Sequence, residues 1–141
     1  MSEEAHESVK PNEQQDLKWK EFKELQDALA ERVVQIGGSG LCDCADESLS
    51  KAHLRALREH GIASSGANVK RLPMAPHDCN QNVAALVKHN PDEYRWWFGL
   101  ALGKEDGLWH AHSWGVSKKD GRIIETCKED VQAYFGLPGP P

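Results

Sequence analysis

The chain has 141 residues, a net charge of −5, 39% apolar and 28% charged residues, seven prolines and four cysteines. That length suits one domain able to bury a core without covalent staples. No Lys/Arg block marks a face for phosphate, which argues against nucleic acid as a partner, and no apolar run approaches the ~20 residues of a membrane-spanning helix.

Residues 1–14 are polar, contain Pro11 and lack apolar periodicity, as expected of a flexible N-terminal tail. Met-Ser-Glu-Glu-Ala-His has neither a basic n-region nor an apolar h-region, so no secretory signal is expected and the reading is a cytoplasmic protein. From Asp16 onward Leu17, Phe22, Leu25, Leu29 and Val33 recur at helical spacing among charged residues, predicting an amphipathic helix that Gly37-Gly38-Ser39-Gly40 ends. A second helix is predicted from about Ser48 to His60, with Leu54 and Leu57 inward and Gly61 as its stop. Residues 61–78 are rich in Gly, Ser, Ala and Pro and read mainly as loop, with a short strand possible over Val69–Leu72.

A third helix is predicted over Cys79–Lys88, closed by Asn90-Pro91-Asp92. The texture then becomes β. Tyr94–Leu102, Leu108–Val116 and Arg122–Cys127 are separated by Lys104-Glu105-Asp106-Gly107 and Lys118-Lys119-Asp120-Gly121, and Asp-Gly turns between apolar runs signal hairpins. Residues 128–141 are read as one helical turn before Tyr134-Phe135-Gly136 and a proline-rich end. The expected organisation is therefore α+β in one domain over residues 15–137. Its helical part is 15–62, its β-rich core 69–137, and 138–141 form a short tail.

The chemistry is concentrated in that core. Only a thiolate attacks, so a nucleophilic Cys needs a lowered pKa, supplied by an imidazolium and a helix N-terminus. The His in turn needs an acceptor on its second ring nitrogen. Cys79 opens a helix behind Pro76-His77-Asp78, His112 lies on the second predicted strand, and Glu125 on the third, folded back through Asp120-Gly121. Asp120 competes with Glu125 for the third position, and His110 shares the strand face of His112 and Trp114. Donors for a developing oxyanion are sought in His77, Gln81, Asn82 and the Cys79 N–H. Asn82 shares a helix face with Cys79, and Trp114 is the tryptophan expected to line a cleft.

His112-Ser113-Trp114-Gly115-Val116, then Asp120-Gly121, then Glu125-Thr126, with Cys79 at an upstream helix start, resembles the transglutaminase-like core of the papain-like cysteine protease superfamily over roughly residues 75–136. The resemblance implies a papain-like fold, in which N-terminal helices precede a central helix carrying Cys79, packed on an antiparallel meander. It implies a hydrolase or acyl transferase (peptidase, deamidase or transglutaminase-like) acting on a peptide, protein or small amide or thioester. Cys79 would be nucleophile, His112 base and Glu125 the orienting acid, with no cofactor and no metal. The family's acid is usually Asp where Glu125 stands here.

Two other functions are weighed beside this one. Cys42, Cys44, Cys79, His77, His110 and His112 offer ligands for zinc, although the Cys42–Cys44 spacing is not that of a zinc knuckle. Alternatively the scaffold is a binding module without chemistry. In a reducing compartment all four cysteines are expected as thiols, with Cys127 structural.

Overall fold

A computed structural model describes residues 11–42, 49–76, 78–127 and 130–139. Among the described residues three α-helices, α1 (Pro11–Val34), α2 (Lys51–His60) and α3 (Cys79–His89), and a 3-10 turn (Gly66–Asn68) accompany seven strands. In chain order the strands are β1 (Gly40–Leu41), β2 (Ile62–Ser65), β3 (Lys70–Arg71), β4 (Tyr94–Gly103), β5 (Leu108–Ser117), β6 (Ile123–Glu125) and β7 (Val131–Pro138). The fold is α+β, built on one antiparallel-rich sheet of order β2-β7-β4-β5-β6-β3, with β1 alongside β5. Among the described residues no helix is long and apolar enough to cross a membrane.

The helices follow the apolar periodicity except at the start of α1, where Leu17, expected on the buried stripe, is 54% exposed. α1 reaches into the expected N-terminal tail: within the described residues it spans Pro11–Val34, so positions 11–14 are helix. Leu29 and Val33 are fully buried on its inner face. α2 is capped by the Ser50 hydroxyl, which accepts the His53 N–H at 3.2 Å, and ends where the Gly61 N–H reaches the Leu57 carbonyl at 2.9 Å. Its Leu54 and Leu57 join Leu29, Val33, Leu100, Leu102, Trp109 and Phe135 in the main core between α1, α2 and one face of the sheet. Burying each such leucine is worth roughly 1.5–3 kcal/mol.

The β4-β5-β6 meander forms as the two Asp-Gly turns require, with Gly107 and Gly121 at φ 68° and 73°. Beyond it, the sequence expectation is corrected in two places. Residues 131–138 are strand, not a helical turn and tail: β7 lies between β4 and β2, pairing Phe135 with both Leu100 and Ala63. Within the expected loop, Ile62–Ser65 is also strand. Lys70–Arg71, inside the stretch where a short strand was expected, pairs in parallel with β6. All of these pairings are long-range, so no local turn announces them.

The register around β5 sets the stage for the site. On one edge β5 is fully paired with β4, from Leu102–Trp109 to Tyr94–Ser117. On the other edge β1 covers only Leu108 and Trp109, and β6 only Gly115 and Val116. Residues 110–114 thus have no strand beside them on that edge among the described residues. α3 packs against β5 close by, with Leu86 so near Gly115 that an added Cβ would lie 2.9 Å from Leu86 Cδ2.

Candidate active site

The chain leading into α3 is held before the helix begins. It runs along β6, with the Leu72 N–H on the Glu125 carbonyl at 2.9 Å and the Met74 N–H on the Thr126 carbonyl at 2.7 Å. Asn82, buried in the first turns of α3, donates its side-chain amide to the Ala75 carbonyl at 2.7 Å and closes the segment into a clamp. Asp78 sits at the N-cap position, its carbonyl taking the Asn82 N–H at 2.8 Å. Cys79 is therefore the first residue of a helix whose start is fixed from both sides.

That fixed start brings the half-buried Cys79 sulfur to the uncovered edge of β5. There the backbone amides of Ser113 and, in its own helix, of Asn80 face it and favour its charged form. The imidazole of His112 lies beside it. Burial pushes the Cys79 thiol up, but the His112 ring and these two amides outweigh burial and hold it below the ordinary thiol range.

His112 is buried, and its Nε2 lies 2.9 and 3.0 Å from the two carboxylate oxygens of Glu125. Nδ1, also buried, meets no nitrogen or oxygen partner among the described residues, so it is the nitrogen left for the sulfur. Burial pulls the His112 pKa down, yet the neighbouring sulfur and carboxylate win and raise it above the usual imidazole value. A lowered thiol beside a raised imidazole favours the thiolate–imidazolium pair. With Nε2–H committed to Glu125, a neutral ring presents a lone pair at Nδ1.

Glu125 is 2% exposed and its carboxylate is well supplied with donors. The Tyr134 hydroxyl donates to Oε1 at 2.7 Å and the Cys127 N–H to Oε2 at 3.1 Å, in addition to the histidine. Burial and the adjoining carboxylate raise the Tyr134 pKa well above the phenol range, so the hydroxyl keeps its proton and remains a donor. Trp114 is buried behind the histidine, 5.9 Å between ring centroids, and meets Tyr134 edge-on at 4.9 Å. It is a packing wall that fixes the imidazole and does not line the cleft.

A cavity of about 410 Å³ opens beside the sulfur, its walls including Leu49, His53, Trp96, Phe98 and Ala111. The His53 and Phe98 rings lie 4.7 Å apart there. Asn80 and Ser113 also border it, the Ser113 hydroxyl donating to the Asn80 side-chain oxygen. The Trp96 indole N–H is buried with no acceptor among the described residues.

The structure thus gathers Cys79, His112 and Glu125, while Asp120 and His110 are engaged elsewhere. Asp120 is exposed in the β5–β6 turn, where it accepts the Arg122 N–H at 3.0 Å. His110 pairs with Asp106 at 2.6 Å in the β4–β5 turn. Gln81 is exposed and outside the cavity wall, Asn82 is spent on Ala75, and His77 lies outside the described residues. Of the zinc ligands expected from the sequence, Cys44 also lies outside them, and Cys42 is placed by its N–H on the Trp109 carbonyl. The donor cluster found instead is Cys79, His112 and Cys127, whose ligand atoms lie within 4.8 Å of one another.

Sequence reasoning missed Cys127, Tyr134 and the cavity wall. Strand alternation through Val131, Ala133 and Phe135 against Gln132, Tyr134 and Gly136 is the signal that could have placed Tyr134 on the His112 face. Comparison of the chain with protein-family models, curated proteins and solved structures returns no match.

Proposed function

We propose that this protein is a thiol-dependent hydrolase or acyl transferase acting on an amide or thioester through Cys79, His112 and Glu125, on a papain-like or transglutaminase-like scaffold. The observation that carries the reading is the position of one ring. His112 has Nε2 on a buried carboxylate, Nδ1 left over, and a sulfur of lowered pKa beside it.

In this reading the Cys79 thiolate attacks the carbonyl carbon, and the charge that develops on oxygen faces the N-terminus of α3, where the Cys79 N–H is the nearest candidate donor. The His112 imidazolium then protonates the departing amine or thiol, leaving the acyl group on Cys79 as a thioester. Neutral His112 takes a proton at Nδ1 from the incoming water or amine, and collapse of the second tetrahedral species restores the thiol pair. Glu125 keeps the ring oriented and stabilises its charged form without accepting the proton. The apolar, aromatic cavity suits an apolar or aromatic acyl group, whose carbonyl or neighbouring polar atom can accept the Trp96 N–H.

The test is alkylation and acylation mapped by peptide mass spectrometry. Cys79 should react with iodoacetamide well ahead of Cys42, Cys44 and Cys127, and an aromatic acyl thioester should leave its acyl group on Cys79. Equal alkylation of the four thiols defeats the reading.

A second reading, zinc binding, is favoured by the compact Cys79, His112 and Cys127 donor set, with Glu125 on the second nitrogen of the histidine as a zinc-bound imidazole requires. Retention of zinc by the purified chain in native mass spectrometry, together with protection of Cys79 from alkylation, would support it. A chain recovered without metal that gains none from added zinc would dismiss it.

A further inference from the structure

We infer that Cys127 is a resolving thiol for Cys79, so that the pocket also consumes hydroperoxides and closes as a Cys79–Cys127 disulfide. The two sulfurs and a ring nitrogen of His112 lie within 4.8 Å of one another, and both cysteines are half-buried thiols, reachable by a small oxidant. The third described cysteine, Cys42, belongs to no such cluster. The two cysteines approach from different elements, the first residue of α3 and the segment after β6. The main chain joins those elements through the Leu72–Glu125 and Met74–Thr126 hydrogen bonds. Sulfur proximity is therefore built into the clamp that positions the nucleophile.

The chemistry follows from what surrounds the sulfur. The Cys79 thiolate attacks the distal oxygen of a hydroperoxide, forming an S–O bond as the O–O bond breaks and the proximal oxygen departs. The His112 imidazolium gives its proton to the departing alkoxide or hydroxide, which leaves as an alcohol or as water. Sulfur is oxidised by two electrons and the peroxide oxygen reduced by two, giving the sulfenic acid of Cys79. The Cys127 thiolate then attacks that sulfur. The S–S bond forms, the S–O bond breaks, and the hydroxyl departs as water with the proton that Cys127 gave up. A cellular dithiol reverses the step by exchange. A thiol that sits at a hydrolytic centre is open to irreversible sulfinic oxidation, and a neighbouring thiol intercepts that course at the sulfenic stage.

This inference shares the reactive Cys79 of the proposed hydrolase, and it deepens that reading into a redox-gated site. Hydrogen peroxide is the probe, applied to the full chain at a small molar excess, with free thiols blocked before digestion. A linked peptide pair holding Cys79 and Cys127 is expected as the main product, removed by dithiothreitol. In Cys127→Ser the linked pair disappears, and Cys79 accumulates as a dimedone-reactive sulfenic acid and then as sulfinic acid, at least several-fold above wild type. Fast alkylation of Cys79 combined with sulfenic or sulfinic Cys79 and no linked pair in wild type would overturn the inference while leaving the hydrolase reading intact. Linked pair formation with an alkylation rate no higher than that of Cys42 would do the reverse. The wild-type peptide map decides the matter even if the serine variant folds poorly.

Discussion

Replacing Glu125 with Gln tests the electrostatic half of the site while changing almost no volume. The carboxylate accepts from His112, Tyr134 and Cys127 at 2.7–3.1 Å and is 2% exposed. A hydrogen bond to a charged partner is worth about 1.5–3 kcal/mol net, against about 0.5–1.5 for a neutral one. The loss to the imidazolium is therefore about 1–1.5 kcal/mol, close to one pKa unit. The sign is fixed by the pair. The imidazolium lowers the Cys79 pKa, so a less stable imidazolium lets it rise toward the ordinary thiol value. Alkylation by iodoacetamide, followed across pH by mass spectrometry of the Cys79 peptide, increases as pH rises through that pKa. Glu125→Gln should move the midpoint up by about one unit and slow the reaction about tenfold below it, with equal rates on the alkaline plateau. The amide NH₂ must also face either the Tyr134 hydroxyl or the Cys127 N–H, costing about 1–3 kcal/mol of stability, so rates are compared under conditions where both proteins are folded by tryptophan fluorescence. Superimposable pH profiles for the two proteins would refute the claim that the carboxylate charge governs the sulfur.

Tyr134→Phe removes one donor from the carboxylate and leaves its charge, so stability in urea should fall by about 1–2 kcal/mol while the alkylation midpoint moves much less than in Glu125→Gln. An equal shift would mean that geometry, not charge, sets the pair. Asn82→Ala leaves the Ala75 carbonyl without its donor, a loss of about 1–3 kcal/mol in urea titration accompanied by faster proteolysis between residues 72 and 78; an unchanged digest would contradict the clamp. Gly99→Ala places a Cβ 2.2 Å from the Phe135 carbonyl oxygen at φ +153°, and should lower stability by about 3 kcal/mol or more, a thermal melt close to wild type being the contrary result. Cys79→Ala deprives the Ser113 and Asn80 amides of their sulfur acceptor and should be about 1 kcal/mol less stable than Cys79→Ser. The opposite order in urea would show that the sulfur does not bridge helix and strand.

The trio of Cys79, His112 and Glu125 was legible because each member announces itself locally. A proline-led segment precedes a helix start, one strand alternates, and an Asp-Gly turn returns the chain so that position 125 comes back toward 112. What surrounds the trio was not legible, because it arrives through long-range pairing. Tyr134 reaches Glu125 only after β7 has inserted between β4 and β2, and Phe135 pairs with Leu100 and Ala63 without any turn to mark either contact. Pro138 and Gly139 read as a tail, yet Pro138 is the last residue of β7, beyond the reach of β2, where the locally open edge tolerates proline. Trp114 illustrates the opposite error: beside His112 in sequence it suggests a cleft, whereas the alternation that puts it on the His112 face also buries it against Tyr134.

The gap on the edge of β5 links fold and site. An uncovered edge exposes backbone donors and acceptors and invites wrong pairing, so proteins cover it or keep it short. Here β1 and β6 cover the two ends, and the N-terminus of α3 fills the space between them. The Ser113 N–H, which a longer β6 would have satisfied, faces the Cys79 sulfur instead. That sulfur sits before one strand amide and one helix amide, and both favour a thiolate over a thiol. The shortness of β6 is thus the condition for a reactive thiol at this place. Extending β6 past Glu125 along the β5 edge would satisfy the Ser113 amide within the sheet and displace the nucleophile from its histidine.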